Sequence, residues 1–346
     1  MFKRYLSKVF EDHWYKKNNL FLGLVLLPFS LIYSLIIFFR LKLYDYRVLK
    51  KYKLPVPVVV VGNITVGGTG KTPITKHIAE QLMKSGISVG VVMRGYKSER
   101  AKSTIVNNSH TSIDVGDEAL IYRNSKIIVA VGKNRYVTAK LLLKEYPDIK
   151  LIILDDGLQH YKLIRDYEIL ILDKYRFLGN NFLIPMGPMR ETKNRLKMVD
   201  AVVNHRDNLV NSTLYNNKII YLDQNIYVKK IFSHYLKKEF TIPELSEENI
   251  NLGALCAIGN PDQFFSFLTN IGIKLKGKYS FLDHYQYKYH DIPTNYDYIL
   301  VTEKDYVKLV NFDLKNILVV YIDCKFNDNV LIEQVMALLN SDSYRK

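Results

Sequence analysis

Residues 58–73 read Val58-Val-Val-Val-Gly-Asn-Ile-Thr-Val-Gly-Gly-Thr-Gly-Lys-Thr-Pro73. Four consecutive valines suit a strand buried on both faces of a parallel sheet. The chain then enters a glycine-rich turn. Gly67, Gly68, Thr69 and Gly70 can turn successive backbone N–H groups toward phosphate oxygens, because glycine tolerates the φ values this needs. Lys71 has the reach of a β- or γ-phosphate, and the Thr72 hydroxyl suits a Mg²⁺ ligand. Pro73 falls in a first helical turn, where proline is tolerated, so a helix N-terminus faces the phosphates. This is a P-loop in its mechanical parts. One departure is Thr65, which stands where the strict G-x-x-x-x-G-K-[ST] spacing wants glycine.

Outward from the loop the texture repeats. Val89–Met93, Ile127–Val131, Leu151–Leu154 and Ile169–Leu172 are further buried-strand runs, and Ala201–Asn204 adds a shorter one. Pro73–Ser85 and Arg135–Glu145 read as helices between them. Such alternation predicts an α/β doubly wound parallel sheet of the P-loop NTPase type. A second, smaller α/β pattern starts at Leu252: strand Ala254–Ile258, helix Pro261–Asn270, strands Tyr298–Thr302 and Ile317–Ile322, helix Val330–Leu339. The expected division is an N-terminal segment at 1–54, a core at 55–215, a linker at 216–251 and a C-terminal domain at 252–346.

Charged residues recur where strands end, the ligand edge of open α/β sheets. Leu151–Leu154 runs into Asp155-Asp156, and a carboxylate there is how P-loop enzymes hold Mg²⁺. A turn aspartate is the competing reading. Arg94 follows Val89–Met93 and Arg135 follows Ile127–Val131, so each can face phosphate or simply solvent. Asp117, after Gly116, is a candidate general base, but taken alone it reads better as a helix cap. Arg190-Glu191 and Asp283-His284 are further charged loop pairs, the histidine a general acid/base or an ordinary surface residue.

Composition narrows the setting. The 346 residues carry 49 Lys+Arg against 34 Asp+Glu, a net charge of +15, with 48% hydrophobic residues. That excludes wholesale disorder, and the length favours two domains. The two cysteines, Cys256 and Cys324, allow no disulfide framework or zinc spacing and suit a reducing compartment. Leu20 to Phe39 is an uncharged, mostly apolar run, long enough as a helix to cross roughly 30 Å of hydrocarbon. Lysines and arginines flank it on both sides, so charge gives no orientation, and Pro28 near its middle would kink it. It either spans a membrane or dips into one leaflet with its basic flanks on anionic headgroups.

The blocks Val61-Gly-Asn-Ile-Thr-Val-Gly-Gly-Thr-Gly-Lys-Thr-Pro73, Arg94-Gly-Tyr96, Gly116-Asp-Glu118, Ile153-Leu-Asp-Asp-Gly-Leu-Gln-His160, Pro185-Met-Gly-Pro-Met-Arg-Glu191, Gly259-Asn-Pro261, Asp283-His284 and Thr302-Glu-Lys-Asp305 occur in order. In this the chain resembles the tetraacyldisaccharide 4′-kinase family, the lipid A 4′-kinases, whose pattern includes the threonine at position 65. The resemblance implies transfer of the γ-phosphate of ATP to the 4′-hydroxyl of a tetraacyl-glucosamine disaccharide 1-phosphate, the lipid A precursor. It implies Asp117 and His284 as an acid/base pair, and Mg²⁺ held near Thr72, Asp155 or Asp156, and Glu191. Lys71, with Arg94 or Arg135, would neutralise charge on the transferring group. It also implies a monomer on inner-membrane lipids, catalytic domains on the cytoplasmic face. Tyr285 stands where a second histidine is frequent.

Two rivals remain at this level. A membrane-associated P-loop ATPase switch of the partitioning type shares the loop and the apolar segment, but gives no reason for Asp283-His284. A nucleic-acid NTPase is supported only by the +15 charge; without an aromatic-interleaved basic stripe, no nucleic acid is expected as partner.

Overall fold

Two helices precede the first strand in the computed structural model, which describes residues 2–17, 19–95, 102–204, 219–326, 329–341 and 344. They are α1 (Phe2–Tyr15) and α2 (Leu20–Asp45). Asn19 caps α2 by accepting from the N–H of Leu22, and the helix runs through Pro28 without interruption. One stripe of α2 touches protein. Ser30 Oγ donates to the carbonyl of Leu183 at 2.8 Å, Tyr33 to that of Arg190 at 3.1 Å, and Arg40 to that of Gln159 at 3.0 Å. The opposite face leaves Leu24, Phe29, Leu31, Ile32, Leu35, Ile36 and Phe39 each more than half exposed. The contacts recur along the helix, so α2 lies lengthwise on the globular body.

The first sheet is built in chain order from β1 (Val58–Gly62), α3 (Lys71–Lys84), β2 (Val89–Met93), β3 (Thr104–Ile105), α4 (Ser112–Val115), α5 (Asp117–Asn124), β4 (Ile128–Val131), α6 (Arg135–Glu145), β5 (Leu151–Asp155), β6 (Tyr167–Ile171), β7 (Ala201–Val203) and β8 (Ile220–Leu222). Its order is β3-β4-β2-β5-β1-β6-β7-β8, parallel except for β3. Val59 and Val61 pack with α3 and α5 on one side, Val58 and Val60 with α6 on the other. That two-sided cover is why the strands read as unbroken apolar runs.

A second sheet follows: β9 (Gln224–Ser233), β10 (Lys238–Phe240), α7 (Ile242–Leu245), β11 (Leu252–Cys256), α8 (Pro261–Asn270), β12 (Gly277–Ser280), β13 (Tyr298–Thr302), α9 (Glu303–Leu309), β14 (Ile317–Phe326) and α10 (Val330–Ala337). Its order is β10-β9-β14-β13-β11-β12. β11 to β14 are parallel, and β9 pairs antiparallel with both β14 and β10.

The structure redraws two boundaries expected from composition. The stretch 216–251 is not a free connection: Ile220–Leu222 is the last strand of the first sheet, and β9 begins two residues later in the second. Nor does everything after Leu252 belong to the second body. Cys324 and Phe326 at the end of β14, with Leu331 and Val335 of α10, join the core of the first sheet. An apolar strand has the same composition whichever sheet it enters, so pairing alone decides. Elements that sequence reading passed over are short or polar, as in two-residue β3 and half-exposed β12.

Leu331 is fully buried in that shared core. Leu331→Ala should therefore cost about 2–5 kcal/mol of stability, read as a lowered urea midpoint. A surface-value loss would place α10 elsewhere.

Candidate active site at the seam between the sheets

The phosphate loop is held from outside. The N–H of Val66 donates to Pro188 O at 2.8 Å and that of Arg190 to Ile64 O at 2.7 Å. Thr65 forms an antiparallel bridge with Met189 and keeps a negative φ, so a β-branched residue fits where the strict motif wants glycine. Gly67 and Gly70 do have positive φ, 109° and 74°, and Gly70 opens α3. Tyr15 of α1 donates to Val66 O at 3.1 Å, and Trp14 to Pro185 O at 3.0 Å. The second body closes the other side. A Cβ on Gly259 would collide with the backbone of Gly68, so the two loops touch because position 259 is glycine. Between them lies a cavity of about 230 Å³ reaching from Gly68, Lys71 and Thr72 to Ile226, Phe264 and Lys304.

At the end of β5 the paired aspartates part company. Asp156, with φ +50°, receives Arg190 at 3.2 Å and lies 3.6 Å from Lys71. Burial opposes its ionisation, but Lys71, Arg190 and Arg135 outweigh this and hold the carboxyl at about 2. Asp155 is buried and accepts from Tyr122 at 2.7 Å, while its Oδ1 has no partner among the described residues. Burial, with Glu118 and Asp156 nearby, pushes its pKa up. Glu191 is engaged elsewhere. It accepts from Gln159 at 2.9 Å and from Tyr161, and pairs with Arg195 at 3.4 Å. Arg135 is buried beside Asp156, and Arg94 is exposed beyond β2. Tyr96 lies outside the described residues.

Across the seam, Asp117 of α5 and His284 of the second body meet. Nδ1 of His284 lies 2.9 Å from both carboxylate oxygens. His284 has φ +60°, a costly backbone for histidine that the surrounding contacts hold. Lys304, the second residue of α9, lies 3.0 Å from Asp283, 3.3 Å from Glu118 and 3.3 Å from His284 Nε2. Lys308, fully buried, approaches Asp117 to 4.0 Å and Asp305 to 2.9 Å. Burial works against the Asp117 carboxylate. The His284 hydrogen bond, then Lys304, the His284 charge and Lys308, bring it down to about 2 all the same. Neither lysine was singled out from sequence. Thr302-Glu-Lys-Asp305 was visible as a motif, and Thr302 does cap α9, but only the fold turns Lys304 toward Glu118.

The profile of the family described as tetraacyldisaccharide-1-P 4′-kinase, LpxK, matches residues 22–340. The chain belongs to this family. A tetraacyldisaccharide 4′-kinase of Methylobacillus flagellatus is 36% identical over 335 residues, 96% of each chain. One from Legionella pneumophila strain Lens is 37% identical over 320 residues, 91% of this chain and 93% of the relative. A crystal structure of LpxK from Aquifex aeolicus in complex with ATP superposes with a TM-score of 0.77 at 31% identity, covering 92% of this chain and 99% of that one. The family's span takes in both sheets, including Asp283-His284, which the partitioning-type switch left unexplained.

Because the folded pKa of Asp117 lies below the ordinary aspartate range, its ion pairs add stability that is present above about pH 4 and lost as pH falls toward 2. Lys304→Met removes one of the charges responsible. The acid limb of the kcat/KM profile should then move up by about one pH unit. An unmoved limb would detach Lys304 from Asp117.

Proposed function

We infer that the protein transfers the γ-phosphoryl group of ATP to the 4′-hydroxyl of a tetraacyl-glucosamine disaccharide 1-phosphate in lipid A biosynthesis. The observation carrying this is the Asp117–His284 contact across the seam, whose neighbours Glu118 and Lys304 line the same cavity as the phosphate loop. The loop from Gly67 to Thr72 cradles the phosphates and Lys71 spans the β/γ pair. The apolar wall of Ile226, Ile258, Phe264 and Phe267 receives the purine. The acceptor hydroxyl attacks the γ-phosphorus as its proton passes to Asp117. The bond to the β–γ bridging oxygen breaks, and ADP leaves. A carboxylate held near 2 is ionised at neutral pH but a weak base. That suits a loose transition state, in which the hydroxyl loses its proton late. His284 fixes the carboxylate's orientation, and Arg135 sets positive charge beside Asp156.

Mg²⁺ fits Thr72 and Asp155, whose buried, partnerless Oδ1 is what a cation would satisfy. When bound it neutralises phosphate charge. Asp156 is already satisfied by Lys71 and Arg190, and we assign Glu191 the positioning of Gln159 and Tyr161 rather than metal ligation. The first sheet acts as the catalytic core and the second as the closing body, with joints at Leu222–Gln224 and β14. One chain supplies every group named, which fits a monomer. The exposed apolar face of α2 lies in one leaflet of the inner membrane, on its cytoplasmic side, because lengthwise docking leaves no free helix to span.

ATP consumption should require the acylated disaccharide 1-phosphate, with new phosphate at the 4′ carbon by NMR. Acceptor-independent hydrolysis at the same rate would refute the kinase reading. Asp117→Ala should lower kcat by roughly 10²–10⁴-fold with the KM for ATP little changed. Replacing Leu31, Leu35 and Phe39 by serine should release the protein from vesicles in flotation while sparing turnover in detergent. Full retention on vesicles would place the anchor elsewhere.

A further inference from the structure

Arg176 stands beside the phosphate loop, and no step of the transfer uses it. It lies in the turn after β6, where Asp173 Oδ1 accepts the N–H groups of Tyr175 and Arg176, each at 2.8 Å. The turn is seated on α1. The N–H of Asn180 donates to Trp14 O at 2.9 Å, and a Cβ on Gly179 would strike that same carbonyl. With its backbone fixed, the guanidinium faces three ways. Nη1 donates to the carbonyl of Gly259 in the second body at 3.1 Å. Its face lies over the Tyr15 ring, 4.9 Å from the centroid. Nη2 approaches Glu11 of α1 to 3.9 Å. Gly67 adjoins the same group, since a Cβ there would come within 3.9 Å of Nη1. Burial pushes the Glu11 carboxyl up, Arg176 works against this, and Asp262 in the first turn of α8 raises it further. Two like charges, one from α1 and one from the second body, thus lie near each other, and Arg176 offsets that repulsion at Glu11.

We propose that Arg176 is a positioning residue that clamps the Gly259 loop of the second body to the phosphate loop and so holds the two walls of the nucleotide cavity at their working distance. Two glycines in contact bury little apolar surface, so the approach of Gly259 to Gly68 needs holding from outside. A charged donor on the Gly259 carbonyl supplies that hold. Gly259 comes just before Asn260, the N-cap of α8, and Phe264 and Phe267 of that helix line the cavity. A tether on Gly259 therefore sets where α8 puts its rings relative to Gly68, Lys71 and Thr72. The geometry calls for arginine rather than any cation. A planar fork serves a carbonyl, a carboxylate and an aromatic face together, whereas an ammonium is a single point charge. Through Tyr15, whose hydroxyl donates to Val66 O, the same clamp takes in the start of the phosphate loop. This rests on the reading of the cavity as the ATP site.

The test uses full-length protein in detergent micelles with spin labels at Lys144→Cys on α6 and Lys274→Cys beyond α8. Both positions are exposed, while Cys256 and Cys324 are buried. In this background Arg176→Met should add a longer distance between the labels and weaken binding of an ATP analogue with a fluorophore on its ribose about tenfold. Saturating ATP should remove the longer component, because the nucleotide bridges both walls and its binding draws them together. An unchanged distance or an unchanged affinity would overturn the proposal. So would a longer component that ATP does not remove, which marks a merely structural role. Should Arg176→Met lose its thermal transition, Arg176→Lys decides. It keeps the charge but not the fork, so affinity should still fall about threefold. Full rescue by lysine would refute the clamp. Failure of the labelled protein with Arg176 intact to bind ATP would sink the nucleotide reading, while the distances measured without ATP would still judge Arg176.

Discussion

Asp117, at the start of α5, and His284, in a turn of the second body, come from different halves of the fold, yet their side chains share one mostly buried contact. Bringing a carboxylate out of water is costly unless partners replace the lost hydration. Here the backbone N–H of Glu118 is one partner, and the charged ones, His284, Lys304 and Lys308, come from the second body. Lys304 in turn depends on Glu118 of the first body and Asp283 of the second. Neither body satisfies these groups alone. The charges of the seam are therefore fully partnered only where the two bodies meet.

The seam needs a joint that keeps register. β9 and β14, each ten residues long, reach from the second sheet to the first core, and a register shift at Tyr321/Ile322 marks where the ribbon bends between them. Around that ribbon α3 is tied across by Lys76 to Glu303 at 3.1 Å and by His77 to Asp323 at 3.3 Å. The helix that the phosphate loop opens, like α5, is thus in direct contact with the second body.

The apolar helix α2 contributes to the site through the same logic. α2 reaches the catalytic loops through the backbone of Leu183, Arg190 and Gln159, and α1 holds the phosphate loop through Tyr15. The helix that carries the exposed apolar face and its N-terminal neighbour thus also hold the loops of the site in place.

The phosphate loop, the two-sided strands and the apolar helix were legible in the sequence because each is a local pattern. β-branched runs demand cover on both faces, glycines permit positive φ, and an uncharged run of twenty residues needs an apolar surround. β2, α6, α8 and β13 lie where their patterns put them. The Asp117–His284 pairing was visible only through family resemblance, since nothing within either segment points to the other. Lys304 and the engagement of Glu191 with Gln159 and Tyr161 belong to the tertiary structure alone. So does the allotment of β8 and α10 to the first core. Sequence fixes what a segment can bury or bind. Which charge faces which, and whether it finds a counter-ion, depends on distances between segments far apart in the chain, and only the packed fold sets those.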